Sequence, residues 1–295
     1  MQPTGMVFLD DEGELRAMAS GAAHRLGRRI RVPLAAIFVQ RFVGHVSIIA
    51  ATAPTMAAVI EDLSSPLPSS DAAEGAAFEE RDRLARWFFA ATALVVAAGI
   101  VIQLPVTATT RAGHFADATA RTFNVFTFFT IDSNLLLGVT CGLLAIRLER
   151  SSALFRVLRL AGVVGMTITG VVFHVALASI LELDGWAQAA NQLQHTVAPL
   201  LAVAGWLLYG PRGQTSRRYA LYALAYPIAW MAFTLIRGAA IHWYPYPFID
   251  VDVIGYGRAG VNAVWVAALF LAVTAAAVGL DGFLVRTASW RVGAP

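Results

Sequence analysis

The chain has 295 residues, of which 58% are hydrophobic and 14% charged, against roughly 45–50% apolar and about 25% charged residues in soluble domains. That excess of apolar surface excludes a water-soluble globule. The net charge of +3 does not point to nucleic acid, because the arginines fall mostly between apolar blocks and read as topology signals, and the single Cys141 excludes an intramolecular disulfide or a site built from several thiolates.

Residues 1–80 hold LDDEGELR, HRLGRRIR and the linker-like SSPLPSSDAAEG, and are expected to form an N-terminal extension, peripheral or poorly ordered. Within them Pro33 to Ile60 is moderately apolar but carries Gln40, Arg41 and His45 near its middle. Each is costly at bilayer depth, so the stretch is not read as a span.

Residues 81–295 are expected to be a six-helix transmembrane domain. The apolar blocks at 84–105, 125–146, 160–181, 191–209, 219–241 and 259–284 approach the ~20 residues that cross a ~30 Å hydrocarbon core. They are continuous rather than alternating, which selects helices over barrel strands. The fold class is therefore all-α, a polytopic transmembrane bundle. Arginines cluster before the first block (Arg81, Arg83, Arg86), after the second (Arg147, Arg150, Arg156, Arg159), after the fourth (Arg212, Arg217, Arg218) and after the sixth (Arg286, Arg291). By the positive-inside rule this alternation predicts a multi-pass protein of the cell membrane with both termini in the cytoplasm.

Polar residues inside the blocks are the functional pointers, because each needs a partner or a cavity. In TFNVFTFFTIDSNLLLG, Thr127, Thr130, Ser133 and Asn134 share a helical arc of about 120°, extended inward by Gly138 and Cys141. In AQAANQLQHTVAPLL, Gln188, Asn191, Gln192, His195 and Pro199 share an arc of about 100°. Both blocks start on the non-cytoplasmic side, which places Thr130 and His195 roughly 8 Å below one surface at about 1.5 Å per residue. The fifth block ends RGAAIHWYPYPFID and brings Arg237 and His242 to the same layer, with Tyr226, Trp230 and Arg237 on one face. Thr130 and His195 form a candidate nucleophile and base. Arg237, Asn134, Asn191 and His242 are candidate substrate-binding donors, for a developing oxyanion or a carboxylate.

The blocks FFTIDSNLLLG, NQLQHTVAPLL and RGAAIHWYPYPFID, in this order, resemble the androgen-induced-gene family of integral membrane proteins and its bacterial relatives over roughly residues 84–285. The resemblance implies a threonine hydrolase of lipid esters in which a fatty acid is esterified to a hydroxy fatty acid. It carries the threonine onto Thr130 in FFT and the histidine onto His195 in NQLQHT, and WYPYPF resembles the family's W-x-Y-P-F element. Asp132, Ser133 and Asn134 depart from the family's more apolar pattern, and residues 1–80 have no counterpart there. The expected partners are a lipid ester and the membrane, with no cofactor and no metal. The competing readings are a small transporter or channel, a haem or metal protein using His174, His195 and His242, and a membrane protein without enzymatic activity.

Overall fold

The computed structural model describes residues 71–110 and 113–292, all helix and connections with no strand among them. Residues 1–70, most of the expected extension and including Pro33 to Ile60, lie outside the described residues. The first helix, α1 (Asp71–Thr109), reaches back ahead of the expected boundary at residue 81.

After α1 comes α2 (Ala118–Asn124), capped by Asp117, whose carboxylate accepts from the Ala120 N–H at 2.7 Å. A single 3₁₀ turn (Val125–Thr127) then leads into α3 (Phe129–Ile146). Next is α4 (Ala153–Val172), capped by Ser152 and prolonged by a π turn at Phe173–Leu177. The following run is α5 (Gly185–Gln192), a second π turn (Leu193–Val197) and α6 (Ala198–Leu208). The chain finishes with α7 (Arg217–Ala223), α8 (Ala225–Ile241) and α9 (Val251–Val292), the last broken at Gly255, whose φ of 75° a glycine adopts without strain.

Five helical stretches among the described residues are long and apolar enough to cross a membrane: Phe78–Thr109, Phe129–Ile146, Ala153–Leu177, Arg217–Ile241 and Val251–Thr287. This is the pattern of a helical membrane protein. The sixth expected span, 191–209, is not among them; it falls in the run of α5, the π turn and α6, which carries Asn191, Gln192, Gln194 and His195 and is less apolar than the other five.

The centre of the bundle is α4. One face packs Leu160, Val164 and Ile168 into a cluster with Trp230 of α8 and Phe270 of α9. Another buries Met166 with Val96 of α1, Leu137 of α3 and Ala202 of α6. Small residues permit this crowding. A β-carbon on Gly165 would come within 2.8 Å of the Ser133 hydroxyl, and one on Gly170 within 2.9 Å of the Pro199 ring. At its other end α9 is fastened by Asp281, whose buried carboxylate accepts from the Gly213 and Thr215 N–H groups at 3.1 and 2.9 Å.

Candidate active site

Thr130 stands in the first turn of α3, and His195 in the π turn between α5 and α6. Both are buried, and the Thr130 Oγ1 lies 3.2 Å from the His195 Nε2. The rest of the imidazole is fixed from two sides. Its Nδ1 is 3.1 Å from the Asn191 carbonyl oxygen, and its ring stacks on Phe173 with centroids 4.3 Å apart. Phe173 opens the other π turn, so both irregular turns meet at the histidine. Insertions of this kind are frequent at functional sites because they re-aim side chains within a helix.

The tautomer follows from these contacts. A carbonyl oxygen only accepts, so Nδ1 carries the hydrogen, and neutral Nε2 presents its lone pair to the Thr130 hydroxyl. Thr130 therefore donates to His195, the orientation required of a nucleophile and its base.

A third group completes the contact set. Tyr246, in the connection between α8 and α9, places its hydroxyl 3.2 Å from both the Thr130 Oγ1 and the Thr130 backbone nitrogen. Its ring stacks on Phe248 at 5.4 Å and meets Phe128 edge-on at 5.8 Å. Burial pushes the Tyr246 hydroxyl up to about 12, so it is protonated at neutral pH.

Thr130, Phe173, Leu177, His195 and Tyr246 line two different cavities. The smaller, about 70 Å³, has polar groups from Gln103, Thr107, Asn124 and Gln194 in its wall. The larger, about 640 Å³, runs between α4, α8 and α9 and is walled by residues such as Ile168, Met231, Ala267 and Phe270. Its rim includes Ile228, Val264 and Leu271, whose side chains are exposed on the helix surfaces. The Thr130–His195 contact thus sits where a small polar vestibule meets a long apolar groove.

The four residues expected to bind substrate take other places, since none lines either cavity. Asn134 is buried one turn beyond Thr130 and donates to the Thr130 carbonyl at 2.8 Å. Asn191 contributes its backbone carbonyl to His195. Arg237 donates to the Asn124 side chain at 2.8 Å, with its guanidinium over the rings of Phe115 and Trp243. These three partners belong to the vestibule wall, so Arg237 braces it from behind. His242 caps α8 with left-handed backbone geometry (φ 54°), and its exposed ring pairs with Asp252 at 3.1 Å.

Tyr226, Trp230 and Arg237 do share one face, and the structure turns that face toward the start of α3. Tyr226 and Ser133 approach to 2.9 Å, Trp230 donates to the Thr127 carbonyl at 3.1 Å, and all three brace the entry to α3. His174 bonds Thr196 at 3.3 Å, and no group of three or more His, Cys, Asp or Glu side chains among the described residues is placed to hold a metal.

Tyr246 is the residue that sequence reasoning passed over. In WYPYPF it enters only as part of the aromatic–proline stretch that carries the resemblance, with no role of its own. The available signal was its place between two prolines, which hold a connection stiff enough to position a side chain. No family model, no curated protein and no solved structure matches this chain.

Proposed function

We propose that the protein hydrolyses long-chain lipid esters, with Thr130 as nucleophile and His195 as general base and acid. The contact between these two side chains at the meeting of the two cavities carries the reading. An apolar groove bordered by lipid-facing side chains suits a fatty acyl chain, which would enter sideways from the bilayer. The resemblance to the androgen-induced-gene family adds to the reading through the same two residues.

In the first half-reaction the Thr130 oxygen bonds to the ester carbonyl carbon while its proton passes to the His195 Nε2. The carbon–oxygen bond to the alcohol then breaks, and the imidazolium returns the proton to the leaving alkoxide. In the second, a water gives its proton to Nε2 and attacks the acyl-threonine; the bond from the acyl carbon to the Thr130 oxygen breaks, the imidazolium returns the proton to that oxygen, and the fatty acid leaves. Water and leaving alcohol occupy the same side of the carbonyl in turn. The vestibule is the side that holds water, since its polar wall supplies partners and its volume exceeds the ~10–15 Å³ a water requires. The acyl chain is therefore assigned to the groove and the alcohol to the vestibule. Asn134 and Asn191 act by fixing the backbone around the pair, and Arg237 by bracing the vestibule through Asn124.

The same reading makes Gly185–Leu208 the sixth crossing, because α5, the π turn and α6 form one continuous run. With six crossings the arginine-rich connections and both termini face the cytoplasm of a cell-membrane protein, and the site lies in the outer leaflet. A fluorescent long-chain alkyl phosphonate tests the assignment: it labels the wild-type chain covalently and fails to label Thr130→Ala. Equal labelling of both would remove Thr130 from the role.

A further inference from the structure

We infer that the Tyr246 hydroxyl is a third catalytic residue, the donor that takes up the charge on the ester oxygen when Thr130 attacks. The inference rests on the hydrolase reading above and adds to it the group that stabilises the tetrahedral intermediate.

The argument is an accounting of hydrogens around Thr130. Its hydroxyl hydrogen is committed to His195, because neutral Nε2 has only a lone pair to offer once Nδ1–H faces the Asn191 carbonyl. The Thr130 backbone N–H donates to the Tyr246 oxygen at 3.2 Å. The Tyr246 hydrogen is then directed at the remaining neighbour, the Thr130 Oγ1, also at 3.2 Å. Each group in the chain N–H, Tyr246, Thr130, His195, Asn191 has one consistent role as donor or acceptor. Successive bonds of this kind polarise one another.

This arrangement changes in one way during attack. As the Thr130 oxygen becomes an ester oxygen it loses much of its strength as an acceptor, and a full negative charge appears on the adjacent carbonyl oxygen. The Tyr246 hydroxyl already points at the atom joined to that carbon. A small rotation carries its hydrogen bond from Oγ1 to the oxyanion, without solvent reorganisation. Three features favour the transfer. The hydroxyl is buried, so its bond to an anion is not diluted by water. It accepts from a backbone N–H in the first turn of the 18-residue α3, at the positive end of the helix dipole. And Tyr246 borders both cavities, as a group beside the scissile carbonyl must. No proton leaves Tyr246 in the step; it donates a hydrogen bond and the electron pair stays on the substrate oxygen.

The ring contacts with Phe248 and Phe128 do not involve the hydroxyl, so Tyr246→Phe removes the donor and keeps the packing. The test uses the full chain in detergent or liposomes with a long-chain p-nitrophenyl ester. Loss of one such donor lowers kcat by on the order of 10²–10³-fold, with KM changed by less than about threefold and the thermal transition retained. Tyr222→Phe removes an exposed hydroxyl that bonds Arg218 on α7 instead, and keeps kcat within a few-fold of wild type. A kcat for Tyr246→Phe within threefold of wild type overturns the assignment while leaving the hydrolase reading intact. A wild-type chain that neither turns over the ester nor is labelled by the phosphonate overturns both. Should Tyr246→Phe lose its thermal transition, the wild-type chain is compared on the ester and its thiono analogue, whose sulfur accepts hydrogen bonds weakly. A much slower thiono reaction supports a hydrogen-bonded oxyanion, and equal rates overturn it.

Discussion

The helices α4 and α9 are both strongly apolar, yet 67% of the apolar window of α4 is buried inside the protein against 17% for α9. Apolarity therefore does not distinguish a helix that packs against protein from one that faces lipid, and neither does glycine content, since α9 carries five glycines to the three of α4; what differs is whether another helix lies against them. The glycines of α4 let α3 and α6 approach to van der Waals contact, whereas Gly260 and Gly279 of α9 have nothing near their missing β-carbons. Without a hydrophobic drive between helices inside a bilayer, close backbone approach is what selects partners. The protein uses the packed half to hold the Thr130–His195 contact and the open half to border a groove.

The packed half should be the less forgiving of change at the Thr130–His195 pair. On the proposed hydrolase reading, Thr130→Ala and His195→Ala should each lower hydrolysis of a long-chain ester by about 10³-fold or more while leaving membrane expression unchanged, and the double variant should be no worse than either, because members of one catalytic unit are not additive. Additive losses, measured as kcat/KM for the four proteins, would break the claim that the two side chains act together.

Glycine substitutions sharpen the contrast in stability. Gly170→Ala puts a methyl group 2.9 Å from Pro199, whose ring cannot turn aside; overpacking of this kind costs about 1–3 kcal/mol. Gly260→Ala meets no neighbour and gains roughly 0.5–1 kcal/mol from helix propensity. Thermal unfolding in detergent should shift in opposite directions for the two, and equal shifts would show that the halves pack alike.

A smaller effect probes the groove. Ala267→Trp fills space along its wall, and the ratio of kcat/KM for a sixteen-carbon to a four-carbon ester should fall by about tenfold, equivalent to about 1.4 kcal/mol. An unchanged ratio would place the acyl chain elsewhere.

Much of the site was legible because helical periodicity is. Of the arc Thr127, Thr130, Ser133 and Asn134, the last three are buried, whereas Thr127 falls in the 3₁₀ turn before α3 and is half-buried; Tyr226, Trp230 and Arg237 share a face. Periodicity fails where the helix does. His242 was assigned to the site by its depth, at the outer end of the fifth block, but the chain turns left-handed there and carries the ring outward. α3 begins at Phe129 rather than 125, and α5 begins at Gly185 rather than 191, so Thr130 and His195 lie at different distances along their helices and yet touch. Hydropathy marks apolar blocks, not the turns and short helices that precede them. Nor does composition mark a π turn, which depends on one surplus residue and not on residue type. Tyr246 stayed hidden because its role depends on a connection whose path no local pattern records.

The π turn at Leu193–Val197 makes the chain sensitive to length as well as to sequence. The extra residue it holds represents about 100° of rotation. Deleting one residue there would let the run close into ordinary α-helix and turn everything on one side of the join by that angle relative to the other. Gln194, whose amide donates to the Gly99 carbonyl of α1 at 2.9 Å, and His195 would be drawn off their partners together, though neither had been replaced. Descendants of this sequence should accordingly vary in letters across Leu193–Val197 before they vary in number.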